Sequence, residues 1–372
     1  MLSKKIEEIV KNIKPLNKIL LEQTQERLNN LTKPLGSLGQ LEDIAKQLVA
    51  IIGKDKQVLK NKTIFTLAGD HGVAEEGISA YPKEVTQQMV YNFINGGAGV
   101  NVLARHVGAR VVVVDMGIEG SIQDIHLRML RGCGGQAVHR IQQGIFKNRK
   151  IGFGTRNFTK GPAMTEEEAI KSIEAGIEIV EEEIKNSGIE LIGTGDMGIG
   201  NTTPSAAIAS VVCNVEPETV TGRGTGINDK VLQNKIDVIK RGIEKNKPDS
   251  NNGIDILSKL GGYEIGGLAG IMIAGASHRI PVVIDGFISG AAALVADKIS
   301  PLAKQYWIAA HCSTEPGHKI MLEYLNLRPL LNLGMRLGEG TGSALAMNLI
   351  DASLKILNEM ATFDSAGVSK KE

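Results

Sequence analysis

Over the first sixty positions apolar residues recur at three- and four-residue steps, as Ile6, Ile9, Val10 and Ile13 and again as Leu38, Leu41, Ile44, Ala45 and Leu48. This spacing predicts amphipathic helices, each laying one stripe on a core. Between them Thr32-Lys33-Pro34-Leu35-Gly36-Ser37-Leu38-Gly39 breaks the pattern, and Ser37 is placed to cap the helix that follows. From Thr63 the character changes. Short β-branched and apolar runs, Thr63 to Leu67, Arg110 to Asp115, Glu190 to Ile192, Pro281 to Ile284 and Tyr306 to Ala310, alternate with helical stretches. Strands alternating with helices predict an α/β fold, a parallel sheet with helices on both faces. Ile265 to Ser277 is uncharged and apolar, well short of the roughly 20 residues that span a bilayer, and reads as a buried helix. After Leu330 a glycine-rich turn, Gly334 to Gly342, leads into a last apolar helix from Ser343 to about Met360. The polar stretch Asn246 to Asn252 reads as a loop. Two lobes are expected: residues 60–335 as a large α/β domain, and residues 1–59 with 336–372 as a small helical one.

Charge narrows the partners. Forty-two basic residues against 41 acidic ones leave a formal charge of +1, too little for a surface that tracks a nucleic-acid backbone. Three widely spaced cysteines, Cys133, Cys213 and Cys312, suit a reducing cytosol and neither a disulfide framework nor a zinc site. The Lys-rich start, interrupted by Glu7 and Glu8, lacks an apolar signal core, so a cytoplasmic protein without membrane contact is expected. The 44 glycines are clustered, as they are where backbone approaches a ligand or turns sharply. A small-molecule enzyme follows from these features.

In parallel sheets ligands sit outside the carboxyl ends of the strands. There this sequence places Gly69-Asp70-His71-Gly72, Gly193-Thr194-Gly195-Asp196, Asp285-Gly286 and His311-Cys312-Ser313. The stretch Gly193 to Pro204 follows a strand and opens a helix, where backbone N–H groups can hold a phosphate. It also satisfies G-x-G-x-x-G, so dinucleotide binding and a plain structural turn stay open beside a phosphosugar site. Thr221 to Gly226 is a second such loop, with Arg223, Lys230 and Lys235 as nearby cations. Two such loops suggest one mononucleotide phosphate shared between them. Asp70 and His71 read as a metal or acid–base pair, or as a cap and a hydrogen-bonded histidine lining the cleft; no second ligand lies at metal spacing. Gly77 to Gln88 offers Tyr81, Ser79 and Gln87 to a flat heterocycle, or starts a helix at Pro82. Glu339, among Gly338, Gly340 and Gly342 before an apolar helix, is either a general base raised in pKa by burial or a carboxylate on the helix dipole.

Lys33 to Gly39, Ala68 to Val73, Gly77 to Thr86, Gly198 to Pro204, Gly222 to Gly226, Asp285 to Phe287, Glu315 to His318, Leu337 to Gly340 and Phe363 to Gly367 together resemble the nicotinate-nucleotide:dimethylbenzimidazole phosphoribosyltransferase family. The resemblance covers nearly the whole chain. It implies a homodimer with a Rossmann-like large domain and a small helical domain built from both termini. The implied reaction moves phosphoribosyl from nicotinate mononucleotide to 5,6-dimethylbenzimidazole or a related base in the cobalamin nucleotide loop, with no cofactor and no metal. Carried over by position, Glu339 is the general base, and Ser79, Tyr81 and Gln87 wall the base pocket. Asp196, Gly198, Gly200, Asn201, Thr202, Thr203, Arg223, Gly224, Lys235 and Ser313 fall to the ribose-phosphate site. Asp196 stands where many relatives carry Glu, a carboxylate of longer reach.

Overall fold

All eight residues of the strand Lys62–Gly69 (β1) are buried, as a strand covered on both faces must be. In the computed structural model, which describes residues 2–53, 58–122 and 144–369, β1 is central to one sheet. Its neighbours are Ala109–Gly117 (β2), Ile145–Asn148 (β3), Leu191–Met197 (β4), Val282–Ile284 (β5) and Trp307–Ala309 (β6). The order is β3-β2-β1-β4-β5-β6 and every pairing is parallel. Strand order therefore reverses between β1 and β4, the switch point at which such sheets open a crevice.

The two-residue period of the strands sends alternate side chains into two cores. Phe65, Leu67, Val112, Val114 and Ile192 join the core containing the helix Tyr263–Ser277. Ile64, Ala68, Val111, Val113 and Val283 meet Ala344, Met347 and Ile350 of the helix Thr341–Glu359 on the other side. The helix expected over Ile265 to Ser277 is buried along almost its whole length and lies against Glu166–Ser187. The two backbones nearly touch: a methyl on Gly176 would run into the Gly267 carbonyl. Gly176→Ala is therefore expected to destabilise the fold by about 1–3 kcal/mol, the usual cost of overpacking, read as a lower midpoint in denaturant unfolding.

Helices Lys18–Asn30, Gln40–Ile52 and Thr341–Glu359 share a small apolar cluster of Leu28, Leu31, Ala45, Val49 and Leu357. Helix Lys4–Asn12 lies against Glu166–Ser187 and Tyr263–Ser277, with Ser3 Oγ donating to Glu174 at 2.6 Å. No helix of the described residues is long and apolar enough to cross a membrane.

Several local expectations change. β3 was not predicted, because this short edge strand leaves its end residues in water and carries no apolar run. Gly193 to Asp196, expected as a loop, belong to β4, and only the residues after Met197 turn. Gly193 and Gly195 thus lie in the strand, where their missing side chains let the helix Thr341–Glu359 and its preceding turn approach. Tyr306 ends a 3-10 turn, Pro301–Tyr306, before β6. Ser37 does not cap the helix at Gln40, whose start at Gly39 has no side-chain cap. Instead Glu42 accepts the Leu38 N–H at 3.0 Å and pairs with the buried Lys33 ammonium at 2.9 Å. Cys213 and Cys312 are free, and Cys133 lies outside the described residues.

Candidate active site

A cavity of about 1070 Å³ opens at the carboxyl ends of β4, β5 and β6 and against the segment Ile78 to Met89 that follows β1. Glu339 enters it from the turn before the last long helix. That residue is left-handed, φ 64°, between Gly338 at 77° and Gly340 at 100°. For a residue with a side chain such a conformation costs about 1–3 kcal/mol and persists only where surroundings enforce it. Here Thr66 Oγ1 donates to the Glu339 carbonyl at 2.8 Å, and Gly195 leaves room behind, since a methyl there would collide with that carbonyl. The Glu339 carboxylate accepts the Val100 N–H at 3.2 Å. It therefore sits on the first turn of Gly99–His106, not on the helix that its own loop begins. Burial raises its pKa, opposed by the Val100 and Gly99 N–H groups.

Two further carboxylates lie nearby. Asp285, at the end of β5, accepts the Ser343 N–H at 2.8 Å and the Gly340 N–H at 3.2 Å. Burial pushes it up to about 7 against those bonds. Asp196 accepts from Asn201 Nδ2 at 2.9 Å and is raised well above the ordinary range, by burial first and then by Asp285.

The same cavity is lined by a buried cation. Lys235, from the helix Asp229–Asn246, is only 1% exposed, and its ammonium donates to Thr202 Oγ1 at 2.6 Å and to the Gly222 carbonyl at 3.3 Å. It thereby joins the first residue of the helix Thr202–Cys213, directly after the turn Gly198–Asn201, to the loop Gly222–Gly226. A buried ammonium at a helix N-terminus is a seat for an anion such as a phosphate. Burial lowers its pKa to about 8, with Glu315 opposing. Glu315 also accepts the Gly224 N–H at 3.0 Å. Ser313 donates its N–H to His318 Nδ1 at 2.9 Å, an imidazole that burial and then His311 hold neutral by lowering its pKa to about 3.

At the mouth, Ser79 Oγ accepts the Tyr81 N–H at 3.2 Å, and Ala80 N–H donates to Thr225 Oγ1 at 3.1 Å, tying this loop to the second glycine loop. Tyr81 stands 55% exposed beside Val85, Met89, Val102 and Leu337. This wall is apolar and suits a flat ring.

Of the residues expected from sequence, Glu339, Ser79, Tyr81, Asp196, Gly198, Gly200, Asn201, Thr202, Gly224, Lys235 and Ser313 all line this one cavity. Three do not. Gln87 is turned to the Ser121 carbonyl, donating at 3.1 Å beside Gly120, because its helix presents that face to the neighbouring loop. Arg223 folds back on Asp229 and the Ile227 carbonyl, local partners that a side chain on a tight loop reaches first. Thr203 is fully buried in the first turn of its helix, outside the cavity lining. The sequence places Asp285 at a strand end and Glu315 in a family motif without assigning either a role, and Thr66, one threonine inside a buried strand, carries no local signal.

Asp70 and His71 serve as supports. His71 Nε2 lies 2.8 Å from Glu264, both buried, and a methyl on Gly198 would meet the His71 ring. Asp70 accepts the Glu119 N–H at 2.9 Å. Among the described residues no three His, Cys, Asp or Glu side chains are grouped to hold a metal.

The doubly wound sheet, the phosphate-suited turn after β4, the buried ammonium and the buried carboxylates define an α/β enzyme with its site at the carboxyl ends of the strands. A family described as Phosphoribosyltransferase matches residues 13–368. The nicotinate-nucleotide:dimethylbenzimidazole phosphoribosyltransferases of Geobacter sulfurreducens and Desulforamulus reducens are 51% and 52% identical to this chain, each alignment covering 98% of both proteins. A crystal structure of the enzyme of that name from Thermus thermophilus superposes with a TM-score of 0.86 at 39% identity, covering 96% of this chain and 100% of that one. The chain belongs to the nicotinate-nucleotide:dimethylbenzimidazole phosphoribosyltransferase family.

Proposed function

We propose that the protein transfers the 5-phosphoribosyl group of nicotinate mononucleotide to 5,6-dimethylbenzimidazole or a related base, with Glu339 as general base. The observation that carries this reading is one cavity lined both by a buried carboxylate whose pKa burial raises and by a buried ammonium that bridges to the second glycine loop. The phosphate seats on Lys235 at the N-terminus of Thr202–Cys213, and the incoming base lies against Tyr81, Val85 and Met89. One base nitrogen attacks C1′ from the face opposite nicotinate while Glu339 takes the proton from the other. Nicotinate leaves with the electron pair of its bond to C1′, which neutralises its pyridinium charge, so the departing group needs no metal to stabilise it. The product is the α-riboside 5′-phosphate and one proton resides on Glu339. Fixing both rings in attack geometry supplies several further powers of ten.

The exposed Tyr81, Val102 and Leu337 at the mouth are the apolar surface a second copy would cover, and the free Cys213 and Cys312 suit a reducing cytoplasm, so we read the working form as a cytoplasmic homodimer. Incubation with nicotinate mononucleotide and a panel of benzimidazoles and purines, chelator present, is expected to release one nicotinate per riboside formed. Absence of nicotinate release with every base, or product only on adding divalent ions, would remove the reading.

A further inference from the structure

The peptide unit between Glu339 and Gly340 is held at both ends, by a residue of β1 and by the residue that follows β5. Its carbonyl accepts from Thr66 Oγ1 of β1 at 2.8 Å, and its N–H donates to Asp285 Oδ2 at 3.2 Å. Its flank lies on Gly195 of β4, where any side chain would collide with it. Asp285 is itself fixed, its N–H donating to Thr194 Oγ1 at 3.1 Å and its other oxygen accepting from Ser343 at 2.8 Å. Ser343 Oγ in turn donates to the Thr194 carbonyl at 3.0 Å. All these groups are buried.

Asp285 meets the Ser343 and Gly342 N–H groups of the helix start and, beyond them, the N–H of the peptide that precedes the helix. The additional grip on the Glu339–Gly340 unit sets the rotation of the peptide that follows the left-handed Glu339. Relaxing Glu339 to a right-handed conformation would rotate that peptide off both partners and carry the carboxylate away from Val100.

We propose that Asp285 and Thr66 are positioning residues for Glu339, pinning one peptide plane from β1 and from the end of β5 so that the carboxylate is held into the cleft at the reacting base. The proposal rests on Glu339 being the general base, and the test separates the two. Asp285→Asn, Thr66→Val and Thr66→Ser are made in the wild-type chain and again in Glu339→Gln, and kcat and KM for nicotinate mononucleotide are measured with dimethylbenzimidazole as acceptor. Asp285→Asn is expected to lower kcat about ten- to a hundredfold, the scale of a misplaced catalytic group, with KM within about threefold. Thr66→Val, nearly isosteric, is expected to lower kcat about three- to tenfold for one lost hydrogen bond, and Thr66→Ser to restore it. In the Glu339→Gln background each change should move kcat less than about twofold, because the group being positioned is gone. Equal slowing in both backgrounds would mean a merely structural role and overturn the proposal, as would unchanged kcat in the wild-type chain. Should Asp285→Asn fail to fold, the Thr66 pair decides alone. Wild-type turnover in Glu339→Gln would instead remove the base assignment, and the proposal with it.

Discussion

Glu339→Gln is expected to lower kcat by roughly two to four powers of ten, the range for loss of one general base, while leaving KM for nicotinate mononucleotide nearly unchanged. The substitution keeps the shape, and the amide oxygen can still accept the Val100 N–H, so the left-handed turn held by Thr66 and Asp285 should persist. What disappears is a group able to take a proton. The pH profile gives an independent readout. Only the ionised carboxylate is a base, and burial raises its pKa, so kcat of the wild-type enzyme should fall as pH drops through that raised value. In the Gln variant the acidic limb set by this group should vanish. Undiminished turnover by the purified variant, measured by released nicotinate, would end the assignment.

Lys235→Met is expected to raise KM for nicotinate mononucleotide about ten- to a hundredfold, the worth of one charged hydrogen bond to a phosphate. Its ammonium is the buried cation that joins the first residue of Thr202–Cys213 to the loop Gly222–Gly226. The same residue makes a second, thermodynamic mark. Its folded pKa of about 8 lies below the ordinary 10.5, so between these values the unfolded chain holds more protons. Stability therefore rises as pH climbs from about 8 toward 10.5, and the cost of burying the charge is fully present below 8. A shift of that size corresponds to about 3 kcal/mol. Chemical denaturation of wild type and Lys235→Met across this window should diverge by that slope. Parallel curves would show that the ammonium is not desolvated. In activity, kcat/KM for the mononucleotide should decline above about pH 8 in the wild type, as the cation loses its proton.

Much of this is legible in the chain alone. The apolar runs at Thr63, Arg110 and Pro281 announce buried strands, because a strand covered on both faces is mostly apolar and admits a polar side chain only where it finds a partner, as Thr66 does. The helix Tyr263–Ser277 is legible for the same reason: from Ile265 to Ala276 it is apolar and buried on every side. The glycine loops after β4 and before the helix Asp229–Asn246 mark themselves, since close backbone approach excludes side chains.

What sequence spacing lacks is direction. Gln87 and Arg223 have the right chemistry at the right place in the chain, yet each finds a nearer partner, the Ser121 carbonyl and Asp229, and points away from the cleft. The G-x-G-x-x-G match misleads because its first two glycines are strand residues that admit the Thr341–Glu359 helix and the Glu339 turn, not a pyrophosphate. β3 escaped notice because an edge strand with exposed ends needs no apolar run to declare it.

The parallel α/β class, the family, the seat of the glycine loops and the carboxylate before the last long helix are all written locally in the chain, because periodicity and short motifs encode burial and turn geometry within a few residues. Only the tertiary structure decided that this carboxylate sits on the first turn of Gly99–His106, and that Thr66 and Asp285 clamp its backbone. Those contacts join residues 239, 273 and 55 positions apart. Partners so distant meet through the order in which the strands pair, which no local pattern specifies.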